Sequence, residues 1–419
     1  MSGTIASNVA RTSGTIAATP GGLDWDTAVV TGSSLTAEAG NGYFINTTSN
    51  TCTVTLPSSA EAGDQIVFVD YARTWASYEL ILDSNGLNFQ GNADTYTVDY
   101  DTAGQSLNIV YSDSTNGWLP VSDDAVADVP EAPQTQKAIF AYGDTGSVTA
   151  VSNLVNSSGV VASDTTGVGT ARRRMGAASY GTDKAIFAYG TTGSNVSMSN
   201  LVNSSGVVGS DVSGVGTARR QLAATAYGTD KAIFGYGHTS GRVSLSNLVN
   251  NSGVIASDTT GVGTVRRNLA AAGYGGDKGI FGYGDSSILS MTNLVSNLGV
   301  IGSDVSGVGS ARETISAASY STDKAIFGYG DSGSYVSMTN LVSSSGVVAT
   351  DTSGVGTDSG DRGATNYGGD KAMFGFGVGT SGRHSQTNLV NSSGVVASDV
   401  TGVGTARNGL RAAGYSITA

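Results

Sequence analysis

The apolar residues of this chain fall in short runs separated by turn residues, and they do not recur at the 3.6-residue spacing of a helix. Runs such as residues 64–71 and 106–113 are rich in β-branched and aromatic residues and are bounded by Gly, Asn, Asp and Ser. This pattern is typical of strands. We therefore predict an all-β protein.

From residue 137 to the end, the pattern repeats. A KAIF-like run begins each of six copies, at Lys137, Lys184, Lys231, Lys278, Lys324 and Lys371. The copies begin 46 or 47 residues apart, and a period of this length is typical of solenoids or of propeller blades. Each copy contains four predicted strands, which in one copy are residues 221–228, 231–237, 243–250 and 253–259. The small alanines of the first strand suit a crowded inner rim, where propeller blades taper.

The two ends of the repeat region are incomplete in complementary ways. The first copy begins with a second strand at Lys137, and the chain ends on a first strand at residues 412–417. In a ring, residues 412–417 would pair beside residues 137–143, whereas a solenoid gives no reason for complementary ends. We therefore predict a closed, six-bladed propeller that is kelch-like in strand order and repeat length.

Before the repeats, the chain divides into three predicted segments. Residues 1–22 are small and polar and form an extended arm, and residues 121–136 form an acidic linker. Between them, residues 23–120 contain about eight strand-like runs, which predict a small antiparallel β-sandwich or barrel for attachment or oligomerisation. Residues 84–86 and 115–117 are hairpin-type turns. Residues 137–419 are the propeller.

Charge and composition exclude several functions. Net charge is -12, and residues 1–136 contain 2 basic against 16 acidic residues, which argues against nucleic-acid binding. No apolar run is long enough to span a membrane, and no secretion signal is visible at the N-terminus. Cys52 is the single cysteine, so neither a disulfide within the chain nor a cysteine metal cluster is expected.

Three segments carry a resemblance to a known group of proteins. Residues 44–72, 106–118 and 132–140 resemble a β-rich module of virion structural proteins in tailed phages, notably cyanophages, where it precedes KAIFGYG repeats. The resemblance implies a tail or capsid-surface protein that is made in the host cytoplasm. Residues 1–120 would bind other virion proteins, and the fibre-like relatives imply a homo-oligomer, with a trimer expected.

The resemblance leaves three functions open. In the first, the propeller projects as a receptor-binding module for a host glycan or other surface receptor. In the second, the protein is a decoration component that binds only other virion proteins. In the third, it is a glycan-cleaving tailspike.

Several residues recur in five or all six of the copies, and we predict that they hold the fold together. An Asp–Lys pair lies in each turn between the first and second strands, where it forms a partly exposed ion pair. An Asp after the fourth strand, and an Arg about eight residues later, are predicted to tie each blade to the next. These are Asp164, Asp211, Asp258, Asp304, Asp351 and Asp399, with Arg172, Arg219, Arg266, Arg312 and Arg407.

Copies differ most in two loop classes, between the second and third strands and between the fourth and first strands. In a four-stranded meander both classes emerge on one face, which is therefore the predicted binding surface. The largest sequence difference from the other copies is at residues 358–362. The candidate ligand-binding residues are Asp358, Asp361, Arg362, Arg383, His384, Arg173, Arg220, Arg267 and Tyr335.

No catalytic or cofactor motif stands out. His238 and His384, the two histidines, lie in loops of different copies, and no spacing matches a zinc or calcium motif. There is no serine elbow and no phosphate loop. We predict a non-enzymatic protein without metal or cofactor, and Asp358 with Asp361 is the one carboxylate pair left for glycan hydrolysis.

Overall fold

A computed structural model describes residues 23–92, 98–123 and 134–419, and the chain divides into two compact units, Met1–Pro130 and Glu131–Ala419. The described residues form strands and no helix, which confirms the all-β prediction, and none of them forms a helix that could span a membrane. The predicted arm at 1–22 lies outside the described residues. Residues 124–133 of the predicted linker also lie outside the described residues. The linker's first two residues, 121 and 122, belong to a strand.

The described residues of unit 1 form two sheets. Its strands are β1 (Asp24–Trp25), β2 (Ser34–Thr36), β3 (Asn41–Ile45), β4 (Cys52–Thr55), β5 (Gln65–Asp70), β6 (Leu80–Asp83), β7 (Val98–Tyr100), β8 (Ser106–Tyr111) and β9 (Trp118–Ser122). The sheet orders are β1-β3-β5-β8-β9 and β2-β4-β6-β7. Buried residues from both sheets, among them Phe68 and Val54, form one core with Trp75.

The prediction of an antiparallel unit 1 is wrong. β1 pairs parallel with β3, β3 with β5, β2 with β4, and β4 with β6. From β1 to β6 the chain changes sheet after every strand, so neighbours within a sheet are two strands apart and run in the same direction. Residues 115–117 do form the predicted hairpin turn, between β8 and β9, but residues 84–86 precede a longer connection. Residues 87–91, one of the strand-like runs between residues 23 and 120, contribute only bridges at Phe89.

Unit 2 contains six small sheets. Its strands in chain order are β10 (Lys137–Asp144), β11 (Val148–Val155), β12 (Gly176–Tyr180), β13 (Lys184–Ala188), β14 (Ser199–Val202), β15 (Ala223–Tyr227), β16 (Lys231–His238), β17 (Arg242–Val249), β18 (Ala270–Tyr274), β19 (Lys278–Gly284), β20 (Leu289–Val295), β21 (Ser316–Tyr320), β22 (Lys324–Gly328), β23 (Thr339–Val342), β24 (Ser359–Gly360), β25 (Gly363–Tyr367), β26 (Lys371–Gly379), β27 (Gly382–Val390) and β28 (Arg411–Tyr415). We number the sheets 1 to 6 by their KAIF-like strands, β10, β13, β16, β19, β22 and β26.

The last strand of the chain completes sheet 1. β28 pairs antiparallel with β10, with Tyr415 opposite Lys137 and Arg411 opposite Ala141. This is the pairing predicted from the complementary ends, although the strand covers 411–415 rather than 412–417. The first strands β28, β12, β15, β18, β21 and β25 each contact the next, and β25 also contacts β28. A cavity of about 120 Å³ is lined by residues of all six.

The predicted fourth strand does not form in any copy. Beyond β17, for example, only the single bridges Val249–Ile255 and Ser246–Thr259 continue the pairing. The physical reason is the buried side chain of Asn247, whose Nδ2 donates to the Ala256 carbonyl (3.0 Å) and to the Asp258 carboxylate (2.9 Å). These side-chain bonds interrupt the backbone pairing, which keeps only a few hydrogen bonds such as that from the Ala256 N–H to the Leu248 carbonyl (2.8 Å). The equivalent asparagine makes both bonds in every copy.

The KAIFGYG strand forms in every copy, and in sheets 1, 3, 4 and 6 it contains a β-bulge at the position of its tyrosine. Its tyrosine has a positive φ (65° at Tyr142), and the register shifts there between Ala141 and Gly143. The resulting bulge turns the tyrosine ring toward the next sheet, where Tyr142 packs against Phe187 with ring centroids 5.6 Å apart. Equivalent aromatic pairs join each sheet to its neighbour, including sheet 6 to sheet 1 through Phe376 and Phe140.

Candidate binding surface

The two loop classes that vary between copies lie against each other. Backbone bridges join them, for example between Arg220 and His238 and between Arg267 and Asp285. We call these loops together the variable loops. Their contact agrees with the prediction that both classes emerge on one side.

The recurring aspartates tie each copy to the preceding one, as predicted. The Asp258 carboxylate accepts hydrogen bonds from the backbone N–H of Thr217 (3.0 Å) and from its hydroxyl (2.5 Å). The full set of pairs is Asp164–Thr405, Asp211–Thr170, Asp258–Thr217, Asp304–Thr264, Asp351–Ser310 and Asp399–Thr357. The pair between Asp164 and Thr405 joins the first copy to the last.

These aspartates predict an acid-sensitive fold. Burial raises the pKa of Asp258, but hydrogen bonds from Thr217 and Asn247 and the charge of Arg219 outweigh burial, so the net pKa is lowered. The other five recurring aspartates also have lowered pKa values. A carboxyl whose pKa is lower in the folded state stabilises the fold above its unfolded pKa of about 3.9, and this contribution is lost as pH falls further.

We therefore expect the free energy of unfolding to decrease as pH is lowered below about 4. Urea titrations followed by circular dichroism at a series of pH values would measure this. Asp258→Asn should make the pH dependence shallower, and Asp331→Asn, outside the recurring set, serves as the control. An unchanged pH dependence in Asp258→Asn would contradict the assignment.

The recurring arginines are fully buried and bind protein groups. Arg219 stacks over the ring of Tyr189 at 4.3 Å, and it donates to the Tyr236 carbonyl (2.9 Å) and to Asn247 Oδ1 (2.7 Å). Each of the others also stacks on an aromatic ring of the preceding sheet. These cations are structural, in agreement with the prediction that they hold sheets together.

Arg362 belongs to the same structural set, which corrects its place among the candidate ligand-binding residues. In this copy Ser359 occupies the position of the recurring arginine. Arg362, three residues later, reaches the same buried space, stacks over Tyr329 at 4.0 Å and donates to Asn388 Oδ1 (2.8 Å). It is only 2% exposed, so it cannot contact a ligand at the surface.

Of the predicted carboxylate pair, Asp361 is buried and Asp358 is exposed. The Asp361 carboxylate lies 3.4 Å from Arg411 and 4.0 Å from Arg174. Asp358 accepts a hydrogen bond from the Ser337 hydroxyl (2.6 Å). The two carboxylates therefore have separate partners.

Three of the predicted arginines share aspartates. Asp144 is bound by Arg383 (2.8 Å) and by Arg173. Asp285 is bound by Arg267 (2.8 Å) and by a further arginine, Arg242 (2.9 Å). With Asp361, this makes three carboxylates that each lie between two guanidinium groups.

Arg220 differs from these arginines. It donates to the Asn195 side chain (2.9 Å), and among the described residues it has no carboxylate within ion-pair distance. Burial lowers the pKa of Arg220, and so do the nearby charges of Arg174, Arg267 and Arg173. Arg220 is therefore the least neutralised cation of the variable loops.

His384 and Tyr335 are both partly buried. Neither ring nitrogen of His384 has a hydrogen-bond partner among the described residues. Burial, and then the charge of Arg362, lower the pKa of His384 to about 4, so the imidazole is neutral at pH 7. Tyr335 forms a backbone bridge with Asp331, and burial raises the pKa of its hydroxyl.

Sequence reasoning did not identify a set of six residues that immediately precede the first strands or lie close to them, although it named one member, Asp361, as a candidate. All six have positive φ, and we call them the left-handed set: Arg174, Gln221, Asn268, Thr314, Asp361 and Gly409. Five backbone hydrogen bonds of 2.7–3.2 Å join them, linking 409 to 174, 174 to 221, 221 to 268, 314 to 361 and 361 to 409. Because the bonds are between backbone groups and the side chains differ, no recurring letter marks this set in the sequence.

Five of the six members of the left-handed set have polar or charged side chains, and these are only partly paired. Gln221 Nε2 donates to Asn268 Oδ1 (2.7 Å), and Asn268 Nδ2 donates to the Glu313 carboxylate (2.7 Å). Gln221 Oε1 and Thr314 Oγ1 are buried acceptors without a donor among the described residues.

Comparison with protein-family models finds no match for this chain, and comparison with curated proteins finds none either.

Proposed function

We propose that unit 2 is a six-bladed β-propeller closed by β28. The succession of contacts from β28 to β25 and back to β28 supports this architecture, as does the succession of Asp–Thr bonds from the first copy to the last. The blades would be the six sheets, with the first strands around the central cavity. The kelch likeness is one of repeat length and of the order of the first three strands.

We further propose that the protein is a non-enzymatic structural component of a tailed-phage particle, and that the variable loops bind a receptor on the host surface. One observation carries the second part: every arginine of the repeats outside the recurring buried positions lies in or directly beside the variable loops. These are Arg173, Arg174, Arg220, Arg242, Arg267, Arg383 and Arg411. A uniform scaffold that concentrates its individual charges in one group of loops is typical of a binding protein.

The entry of the chain into unit 2 is consistent with this proposal. Gln136 donates its backbone N–H to the Ser416 carbonyl (2.7 Å), and Thr135 accepts from the Asn366 side chain (2.9 Å). Both lie by the turns that join first to second strands, where copies vary least. The variable loops are at the opposite ends of these strands.

Cell adsorption tests the proposed function. The full chain, labelled and displayed on beads, should bind cyanobacterial cells and compete with phage adsorption, because multivalent display strengthens weak contacts by about 10²–10⁴. Charge reversal at Arg220 should reduce this binding, whereas Val254→Ser, outside the variable loops, should not. Absence of cell binding under multivalent display would contradict receptor binding.

A decoration role remains the second candidate, because one surface feature favours it. Six equivalent valines, at the end of the Asn-Ser-Ser-Gly-type turn, are identical in every copy and 61–65% exposed: Val160, Val207, Val254, Val300, Val347 and Val395. Residues that are both exposed and uniform suit a symmetric partner. If the displayed full chain binds phage particles but does not bind cells, this result would favour the decoration role.

A further inference from the structure

The nonrecurring charges of unit 2 are segregated along the chain. From Arg173 to Arg267 the variable loops contribute five arginines and no acid, and from Asp285 to Asp361 they contribute five acids. The arginines are Arg173, Arg174, Arg220, Arg242 and Arg267, and the acids are Asp285, Glu313, Asp331, Asp358 and Asp361. The variable loops between Arg173 and Arg267 are therefore basic, and those between Asp285 and Asp361 are acidic.

Ion pairing does not neutralise the basic part. Asp144, Asp285 and Asp361 each lie within 4.0 Å of two guanidinium groups, so each of these three clusters keeps one net positive charge. Arg220 adds a further positive charge without a carboxylate of its own among the described residues. An anionic group at Arg220 would relieve this surplus and form charge-assisted hydrogen bonds.

Hydrogen-bonding groups lie beside this cation. Gln221 follows Arg220 in the chain, its residue is 95% buried, and its Oε1 has no partner among the described residues. Its backbone N–H donates to the carbonyl of Arg174 (2.8 Å), which places the second arginine next to it. A buried, unpaired amide oxygen favours a ligand that brings a hydroxyl or amide donor.

We propose that the variable loops of sheets 1 to 3 bind an acidic sugar residue. Its carboxylate or sulfate lies on the Arg220 guanidinium with Arg174 beside it, and a sugar hydroxyl donates to Gln221 Oε1. This inference rests on the proposed function and specifies the class of receptor. It requires both an anion and hydroxyl groups, which a simple inorganic ion does not combine.

Isothermal titration calorimetry of the full chain tests the proposal with three oligosaccharides of equal length: an oligogalacturonate, its neutral carboxyl-reduced counterpart and a sulfated oligosaccharide. We expect one or both acidic ligands to bind at least about tenfold more tightly than the neutral one, as one charge-assisted hydrogen bond would give. The carboxylated and sulfated arms identify the anion. Equal affinity for the neutral ligand, or no binding of either acid, would overturn the proposal.

Two variants and a control locate the site. Arg220→Gln should remove the preference for the acidic ligand, and Gln221→Ala should weaken all binding but keep the preference. Arg242→Gln is the matched control, because Asp285 already holds that guanidinium at 2.9 Å. If Arg242→Gln removes the preference as fully as Arg220→Gln, the site is elsewhere.

Failure of this inference is distinguishable from failure of the proposed function. Cell adsorption that acidic oligosaccharides do not inhibit would overturn the acidic-sugar site and leave receptor binding intact. Sugar binding without cell adsorption would do the reverse.

Discussion

Deletion of residues 411–419 should lower the thermal midpoint of unit 2 by about 10 °C or more. The deletion removes β28, and with it five backbone-paired positions in sheet 1 and the buried side chains of Ala412, Ala413 and Tyr415. Backbone hydrogen bonds contribute about 0.5–1.5 kcal/mol each, and a buried aromatic side chain about 2 kcal/mol. The sum is about 5 kcal/mol, and each kcal/mol shifts the midpoint of a domain of this size by about 2–4 °C.

The loss should extend beyond sheet 1. β28 contacts the first strands on both sides of it, β12 and β25, and the Ser416 backbone N–H donates to the Asp183 carbonyl (2.8 Å). Removing β28 therefore exposes apolar residues of two neighbouring sheets as well as the edge of β10. Differential scanning calorimetry and limited proteolysis of the full chain would measure the effect.

The deletion has a matched control and a rescue. Removal of Thr418 and Ala419 alone leaves β28 intact, loses the contacts of Thr418 with the Ser416 hydroxyl and should shift the midpoint by less than about 4 °C. A synthetic peptide of residues 408–419 should restore the midpoint of the truncated chain in proportion to its concentration. A truncated chain as stable as the control would show that β28 does not close unit 2.

The pairing of β28 with β10 was predictable, because among the described residues the first KAIF-like strand has no first strand before it and β28 has no second strand after it. The missing fourth strand was not. Residues 253–259 have strand-like composition, but a buried Asn247 side chain bonds Ala256 and Asp258 where a ladder would otherwise form. Hydrogen bonds from a side chain that interrupt backbone pairing do not change the apolar periodicity of the sequence.

The parallel pairing of unit 1 was missed for a related reason. Turn residues mark where a strand ends, but they do not say whether the chain returns in the same sheet or crosses to the other one. β3 and β5 thus pair with each other although β4 lies between them in the sequence. The strands of the repeats were easier to predict than those of unit 1, because comparing six copies shows which positions are constant.

The candidate site was predicted in part. Comparing copies indicated the loops, and Arg173, Arg220 and Arg267 do lie there. Comparison could not reveal the left-handed set, which is defined by backbone conformation, nor could it show that Arg362 is internal. A position-by-position comparison treats Arg362 as a new charge, whereas the structure identifies it as the recurring arginine moved by three residues.

The displaced arginine gives a second large prediction. Arg362→Leu, which installs the kind of apolar residue found at Leu222 and Leu269, should destabilise unit 2 by about 2–4 kcal/mol. Asn388 is fully buried and its Oδ1 would lose its donor, at a cost of about 1–3 kcal/mol. Loss of the stacking over Tyr329 adds about 0.5–2 kcal/mol.

Ser359→Arg by itself should also destabilise, because it brings a second guanidinium and its volume into a packed, buried space, which costs about 1–3 kcal/mol or more. The double variant Ser359→Arg/Arg362→Leu should recover the wild-type stability. At the restored position an arginine can form the bonds that Arg219 makes, whereas Arg362 leaves its Nε and one terminal nitrogen unpartnered among the described residues. Urea unfolding of the wild type, the two single variants and the double variant gives the coupling free energy between the two positions, which we expect to be about 3 kcal/mol or more.

The reverse exchange in sheet 3 is the matched control for this coupling. Arg219→Ser should destabilise unit 2 by about 3 kcal/mol, since it leaves a fully buried Asn247 oxygen without its donor and empties a large side-chain volume. Adding Leu222→Arg to it recreates the arrangement of Ser359 and Arg362, and it should return most of that loss. If neither double variant is more stable than the less stable of its two single variants, the two positions do not share one guanidinium site. The sequence difference at residues 358–362 would then again be a candidate for ligand binding.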